Sequence, residues 1–292
     1  MDLGIKCEPL KAARDDWRRL YGSLADVARA ARGAGAAFAE INWDEVLPPD
    51  RVLETARPLA DAGLWVSVHP YHSGALAPEI FSDAARPGLL RLLETGESVS
   101  AISGRDVPMI FHGGRALAEP HHVPFDEAMV RAAHFFSWAD AEIANHFPHV
   151  RLLAETQLPH LPEERPRIRL GDTWEDCLRL VDGTRARICW DFGHAFQSVE
   201  LGRHAAEPPP EFLRRVGHVH AHDVILRDGR FHDHQPLGAG IAPWRENLRR
   251  LAGVGFEGGV LLEFDLMLLG GPDGLASMLR FARTEADAAW AA

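Results

Sequence analysis

The sequence predicts a (β/α)8 barrel, and three observations carry that expectation. Eight short apolar runs recur along the chain, amphipathic stretches separate them, and six consecutive runs end in His, Asp or Glu. The runs cover residues 3–7, 37–42, 64–69, 107–112, 150–155, 186–191, 216–222 and 259–263. Between them, 17–34 and 52–62 carry apolar residues at helical spacing, and 126–145 opens on an acidic first turn. Thr173 is placed to cap a helix over 174–181, with Asp176 three residues on. Pro208, Pro209 and Pro210 lead rigidly into a helix at 211–215, and helices at 244–251 and 275–289 complete the set. Strands that alternate with helices must run parallel, because a parallel pair needs a crossover and not a tight hairpin. Eight such units favour closure. An open nucleotide-binding sheet would call for a glycine-rich turn after the first strand, where the chain has Glu8, Pro9 and Leu10. One barrel takes about 250 residues, so residues 1–292 are read as a single domain without linker, low-complexity tract or short repeat.

With 46% hydrophobic and 25% charged residues, the composition is that of an ordinary globular protein. The start lacks a basic segment followed by an apolar one, and no apolar run is long enough to span a bilayer, so a cytoplasmic location without membrane attachment is expected. Cys7, Cys177 and Cys189 are too scattered for a disulfide framework or a thiolate zinc site and read as buried thiols. A net charge of −11 argues against a surface that tracks nucleic-acid phosphates, since such affinity comes from Lys and Arg. Nothing in the composition fixes the oligomeric state.

Sixteen histidines are the unusual count, and their placement carries the functional reading. The third to eighth runs finish in His69, His112, Glu155, Asp191 with His194, His220 and Glu263. In a barrel these strand ends converge on the face where active sites lie. Buried carboxylates without a partner are strongly disfavoured, and few Lys or Arg stand at the same ends, so a divalent cation is the simplest partner. Imidazole with carboxylate suits zinc, manganese or iron. Further on, His232 and His234 lie two apart, and on an extended segment such residues point the same way and can share a metal. His72, His218 and His222 are candidates for orienting the ligands. His121, His122, His134, His146, His149, His160 and His204 lie away from the strand ends and are assigned no chemistry.

The runs WDFGHAF, HVHAHD and HQPLGAG, with HPYH and FHGG, resemble the xylose isomerase-like TIM barrels from AEINW to VLLEFD. That family includes sugar-phosphate isomerases and epimerases and the endonuclease IV-like enzymes of AP endonuclease family 2. The endonuclease IV-like resemblance implies three zinc ions, and the two branches together imply one to three divalent ions, zinc first with manganese, iron and cobalt as alternatives. His69 and His112 would hold the first ion, and Glu155 would bridge to a second completed by Asp191, His220 and Glu263. His194, His232 and His234 would hold a third, although the family usually has Asp at the place of His232. The isomerase branch implies a single ion on Glu155, Asp191, His220 and Glu263, with Glu155 and Glu263 also acting as the acid/base pair.

The surplus imidazoles are needed only by the multinuclear arrangement. The expectation is therefore a hydrolase that uses a metal-bound hydroxide on a small phosphorylated, sugar-like substrate, with a sugar or sugar-phosphate isomerase or epimerase as the alternative. DNA is not the expected substrate, because no arginine-rich insertion follows the early strands.

Overall fold

The computed structural model describes residues 1–44, 47–71, 76–116, 123–161 and 168–291. In chain order the strands are β1 (Asp2–Cys7), β2 (Phe38–Asp44), β3 (Trp65–Tyr71), β4 (Val107–His112), β5 (Val150–Glu155), β6 (Arg187–Asp191), β7 (Val216–Ala221), β8 (Asp223–Arg227), β9 (Arg230–Gln235) and β10 (Gly259–Leu262). Strands β1 to β7 and β10 form a closed barrel, every neighbouring pair parallel, with β10 joining β7 to β1. This is the expected (β/α)8 barrel, and β4 and β5 fall at the expected bounds.

Helices form where an apolar stripe can cover the barrel, and the departures from expectation have local causes. The helix expected over 17–34 is two helices, Asp15–Tyr21 and Leu24–Gly33. Gly22 at φ +77° ends the first, and Ser23 with Asp26 forms a reciprocal capping box that starts the second. Helix Arg86–Ser103 was not expected, because its Gly, Ser and Thr weaken the helical signal. Its Gly96 lets it pack tightly on β4, where an added Cβ would lie 2.3 Å from Met109 Sδ. Helix Phe192–Glu200 was also not expected; Asp191 closes β6 and caps this helix by accepting the His194 N–H. The three cysteines are free and buried, as expected. No helix among the described residues is long and apolar enough to cross a membrane.

Inside the barrel the alternation of strand side chains sets what meets what. Phe38 fills the lower interior, and Gly4 and Gly259 make room for its ring, since a Cβ at either would meet it at 2.3 and 2.8 Å. Ile110, Leu153 and Cys189 form a small apolar cluster apart from the main core, which lies between strands and helices. Two residues on from these three, at the strand ends, stand His112, Glu155 and Asp191.

The segment after β7 is a hairpin, β8 with β9, where the sequence suggested only an extended or looped stretch. Asp223 fixes it. Its buried carboxylate accepts the backbone N–H groups of Val224, Gly238 and Ala242, each at 2.9 Å. A Cβ at Gly240 would lie 2.1 Å from the Val224 carbonyl oxygen, so this glycine is required by close backbone approach. The HVHAHD and LGAG runs are thus one structural unit as well as a source of functional groups.

Candidate metal centre

Glu155, at the end of β5, is the hub. Its Oε2 lies 3.0 Å from His69 Nε2 and 2.8 Å from His112 Nε2. Its Oε1 lies 3.1 Å from His220 Nδ1 and 3.8 Å from His194 Nδ1. Strands β3, β5 and β7 are not neighbours in the sheet, so these contacts cross the barrel interior. Glu263, just past β10, places Oε2 2.9 Å from the same His220 Nδ1 and Oε1 3.3 Å from Lys6 Nζ. One ligand atom each from Glu155, Asp191, His220 and Glu263 lies within 4.8 Å of the others, a spacing that could hold one metal ion.

Hydrogen bonds fix which ring nitrogen of each histidine is free. His69 Nδ1 donates to the Ile110 carbonyl at 2.9 Å, and His194 Nδ1 to the Thr156 carbonyl at 3.1 Å. His234 Nδ1 lies 3.0 Å from the Asp233 carboxylate. Each neutral ring then keeps its Nε2 lone pair, the arrangement in which an outer partner sets the tautomer of a ligating histidine. His220 is the reverse case, with Nδ1 toward Glu155 and Glu263 and Nε2 2.9 Å from Glu40 Oε1.

The donor set fits a divalent ion. His69 Nε2, His194 Nε2, Glu155 Oε2, Asp191 Oδ2 and Glu263 Oε2 are all buried, and none has an aligned hydrogen-bond partner. Orphaned buried polar atoms are costly. Atoms such as His69 Nε2 and Glu155 Oε2, 3.0 Å apart without a bond between them, present lone pairs to a shared space.

Of the nine residues expected as ligands, the structure brings eight together. His112 joins through Glu155, and His234 through a 3.8 Å approach of its Nε2 to Glu263 Oε1. His232 stands apart from the other eight. It is exposed and belongs to none of the clusters that could hold a metal among the described residues. The expectation assumed a regular extended segment, but His234 has φ +51°, which departs from extended geometry and breaks the alternation. Asp233 occupies the adjoining position instead, on His234 Nδ1.

Three participants were missed in the sequence. Lys6, at the end of β1, pairs with Glu263, so the acidic ends do have one fixed cation. Glu40, on β2, is fully buried, accepts from Ser67 Oγ at 2.8 Å and lies 3.2 Å from His218 Nε2. Asp233 is the third. A lone Glu in the apolar run FAEINW was the available signal, since only a functional or paired carboxylate survives in a strand buried on both faces. His218 and His222 are buried beside the centre, while His72, His121 and His122 fall outside the described residues.

In the metal-free protein protons take the place of the ion. Burial opposes charge on His220, but Glu263, Glu40 and Glu155 outweigh it and hold its pKa well above the ordinary value. Burial likewise opposes charge on His234, yet Asp233 and Glu263 raise its pKa from 6.5 to about 10. A raised folded-state pKa gives stabilisation that is complete below the unfolded value and is lost as pH rises through the folded one. The melting temperature of metal-free protein is therefore expected to fall between roughly pH 6.5 and 10. Metal-loaded protein is expected to show no such fall, because binding displaces those protons. Parallel melts with and without chelator test this, and a flat metal-free profile would count against it.

A closed parallel barrel with carboxylates and imidazoles gathered at its strand ends defines an α/β-barrel protein with a candidate metal centre. The chain belongs to the xylose isomerase-like TIM barrel family, whose model matches residues 28–284. Among solved structures it is similar to a D-tagatose 3-epimerase-like protein, at 16% identity and a TM-score of 0.67, covering 99% of this chain and 98% of that one. It is similar also to an L-ribulose 3-epimerase, at 18% identity and a TM-score of 0.65 over 99% and 96% of the two chains. Endonuclease IV from Thermus thermophilus is a third such structure, at 20% identity and a TM-score of 0.59 over 99% and 100%. Likeness at these identities speaks for the fold. No curated protein matches the chain by sequence.

Proposed function

We propose that the protein is a divalent-metal-dependent hydrolase with a multinuclear, zinc-type centre, acting on a phosphoester of a small, sugar-like substrate. The observation that carries this reading is the position of Glu155 between two sets of imidazoles. His69 and His112 face one carboxylate oxygen, and His220 with His194 faces the other. A carboxylate shared in this way is suited to bridging two ions. His69, His112, Glu155, Asp191, His194, His220, His234 and Glu263 are the proposed ligands. When bound, divalent ions supply positive charge against the charge that develops on a phosphoryl group and make water acidic enough to attack near neutral pH.

The chain's own groups prepare that chemistry. Backbone carbonyls and the Asp233 and Glu40 carboxylates hold the imidazoles in orientation, and Lys6 holds one oxygen of Glu263. Tyr71 stacks on His69 at a ring-centroid distance of 4.7 Å and accepts a hydrogen bond from Asn42, which leaves its hydroxyl proton to donate at the mouth. A small substrate is favoured over DNA by the net charge of −11 and by the engagement of the lysines nearest the centre. Lys11 is engaged by Glu8 and Asp265, and Lys6 by Glu263.

A mononuclear sugar isomerase or epimerase is the second reading, favoured by the compact Glu155, Asp191, His220 and Glu263 set and by epimerases among the similar structures. It asks Glu155 and Glu263 to carry protons. In the metal-free protein burial pushes both carboxyls up, but His112, His69 and His220 around Glu155, and His220 and Lys6 around Glu263, hold both well below the usual carboxylate range. Incubation with a panel of phosphorylated sugars and free ketoses in heavy water separates the readings. Release of inorganic phosphate without carbon-bound deuterium is expected, and deuterium incorporation without phosphate release would overturn the hydrolase reading.

A further inference from the structure

The resemblance of the sequence implies a third ion on His194, His232 and His234, and the donors present do not fit it. His232 is exposed, sits opposite Ile225 in the hairpin and joins no cluster of ligand atoms among the described residues. His194 and His234 remain, with ring centroids 5.6 Å apart. Two imidazoles are one short of the three protein ligands that a zinc site with an open position takes.

His222 is the candidate replacement, because one of its ligand atoms lies within 4.8 Å of those of His194 and His234. Ring geometry removes it. The His222 and His234 rings are 13° from parallel, with centroids 4.4 Å apart. Rings that close would collide in a single plane, so they lie face over face, about 3.5 Å apart at van der Waals contact. An imidazole lone pair lies in the plane of its ring. An ion midway between the two planes would stand about 1.7 Å out of each, nearly the whole of a zinc–nitrogen bond of roughly 2.0–2.1 Å. The His222 ring is also closely held, being fully buried against Gly193, where an added Cβ would stand 1.9 Å from its Cε1.

We propose that the centre takes two divalent ions and not three. His69, His112 and Glu155 hold one. Glu155, Asp191, His220 and Glu263 hold the other, and His194 and His234 complete it. Each of these two imidazoles stands beside a carboxylate of that set, His194 Nδ1 3.4 Å from Asp191 Oδ2 and His234 Nε2 3.8 Å from Glu263 Oε1. The inference rests on the multinuclear reading of the centre and fixes its count.

Cobalt loading of the full chain, followed by dialysis against metal-free buffer and elemental analysis, counts the ions that are held more tightly than at single surface histidines. Anomalous scattering from cobalt-loaded crystals places them. Wild type is expected to keep two equivalents, one beside His69 and one beside Asp191, with no separate peak between His194 and His234. His232→Ala is expected to keep both equivalents with affinity unchanged, since the side chain it removes reaches neither ion. Three equivalents in wild type, a separate peak between His194 and His234, or loss of an equivalent in His232→Ala would overturn the count while leaving the multinuclear reading in place. A single equivalent in wild type would sink that reading itself, and the count with it.

Discussion

Glu155→Gln is expected to abolish turnover and strip bound metal while the barrel stays folded. Both oxygens of this carboxylate are committed to the centre, with imidazole nitrogens at 2.8, 3.0 and 3.1 Å. An amide keeps the shape but removes the charge and puts N–H donors where a lone pair was directed. Ion stabilisation of this kind is worth several kcal/mol, so a fall on the order of a thousandfold or more in turnover is expected. Folding should survive, because the main apolar core lies between strands and helices, away from the catalytic face. Near wild-type turnover would remove Glu155 from the site.

His69→Ala and His112→Ala are expected to have the second largest effect, and theirs distinguishes the two chemistries. Both imidazoles meet the same oxygen, Glu155 Oε2, whereas His220 meets Oε1. In a multinuclear centre each variant loses one equivalent of metal and most of its phosphoesterase activity. In a mononuclear isomerase the four-residue set is untouched, so metal content would hold and the change would appear mainly in KM. Metal analysis and steady-state kinetics on the same preparations decide between them.

Much of this was legible in the sequence because barrel strands announce themselves twice, once as apolar runs and once by the polar residue that ends each run. Seven of the gathered residues close a strand or stand just after one, which is why His69, His112, Glu155, Asp191, His194, His220 and Glu263 could be placed by position alone. His234 came instead from the spacing before the glycine turn. What sequence reading lost depends on dihedral angles and on contacts across the barrel. His232 looked equivalent to His234 until the positive φ at His234 separated them. Glu40 and Lys6 sit inside runs that read as plain strand, and only closure of the barrel brings Glu40 to His220 and Lys6 to Glu263. The roles of His218 and His222 were open for the same reason, since the tautomer of a ring depends on partners far away in sequence.

The decisive measurement is the number and position of ions in active wild-type protein purified without added metal, by elemental analysis joined to anomalous scattering from crystals. More than one ion per chain, with peaks on both sides of Glu155, is the expected result. A single ion within Glu155, Asp191, His220 and Glu263 in fully active protein would contradict it and turn the assignment to isomerase chemistry.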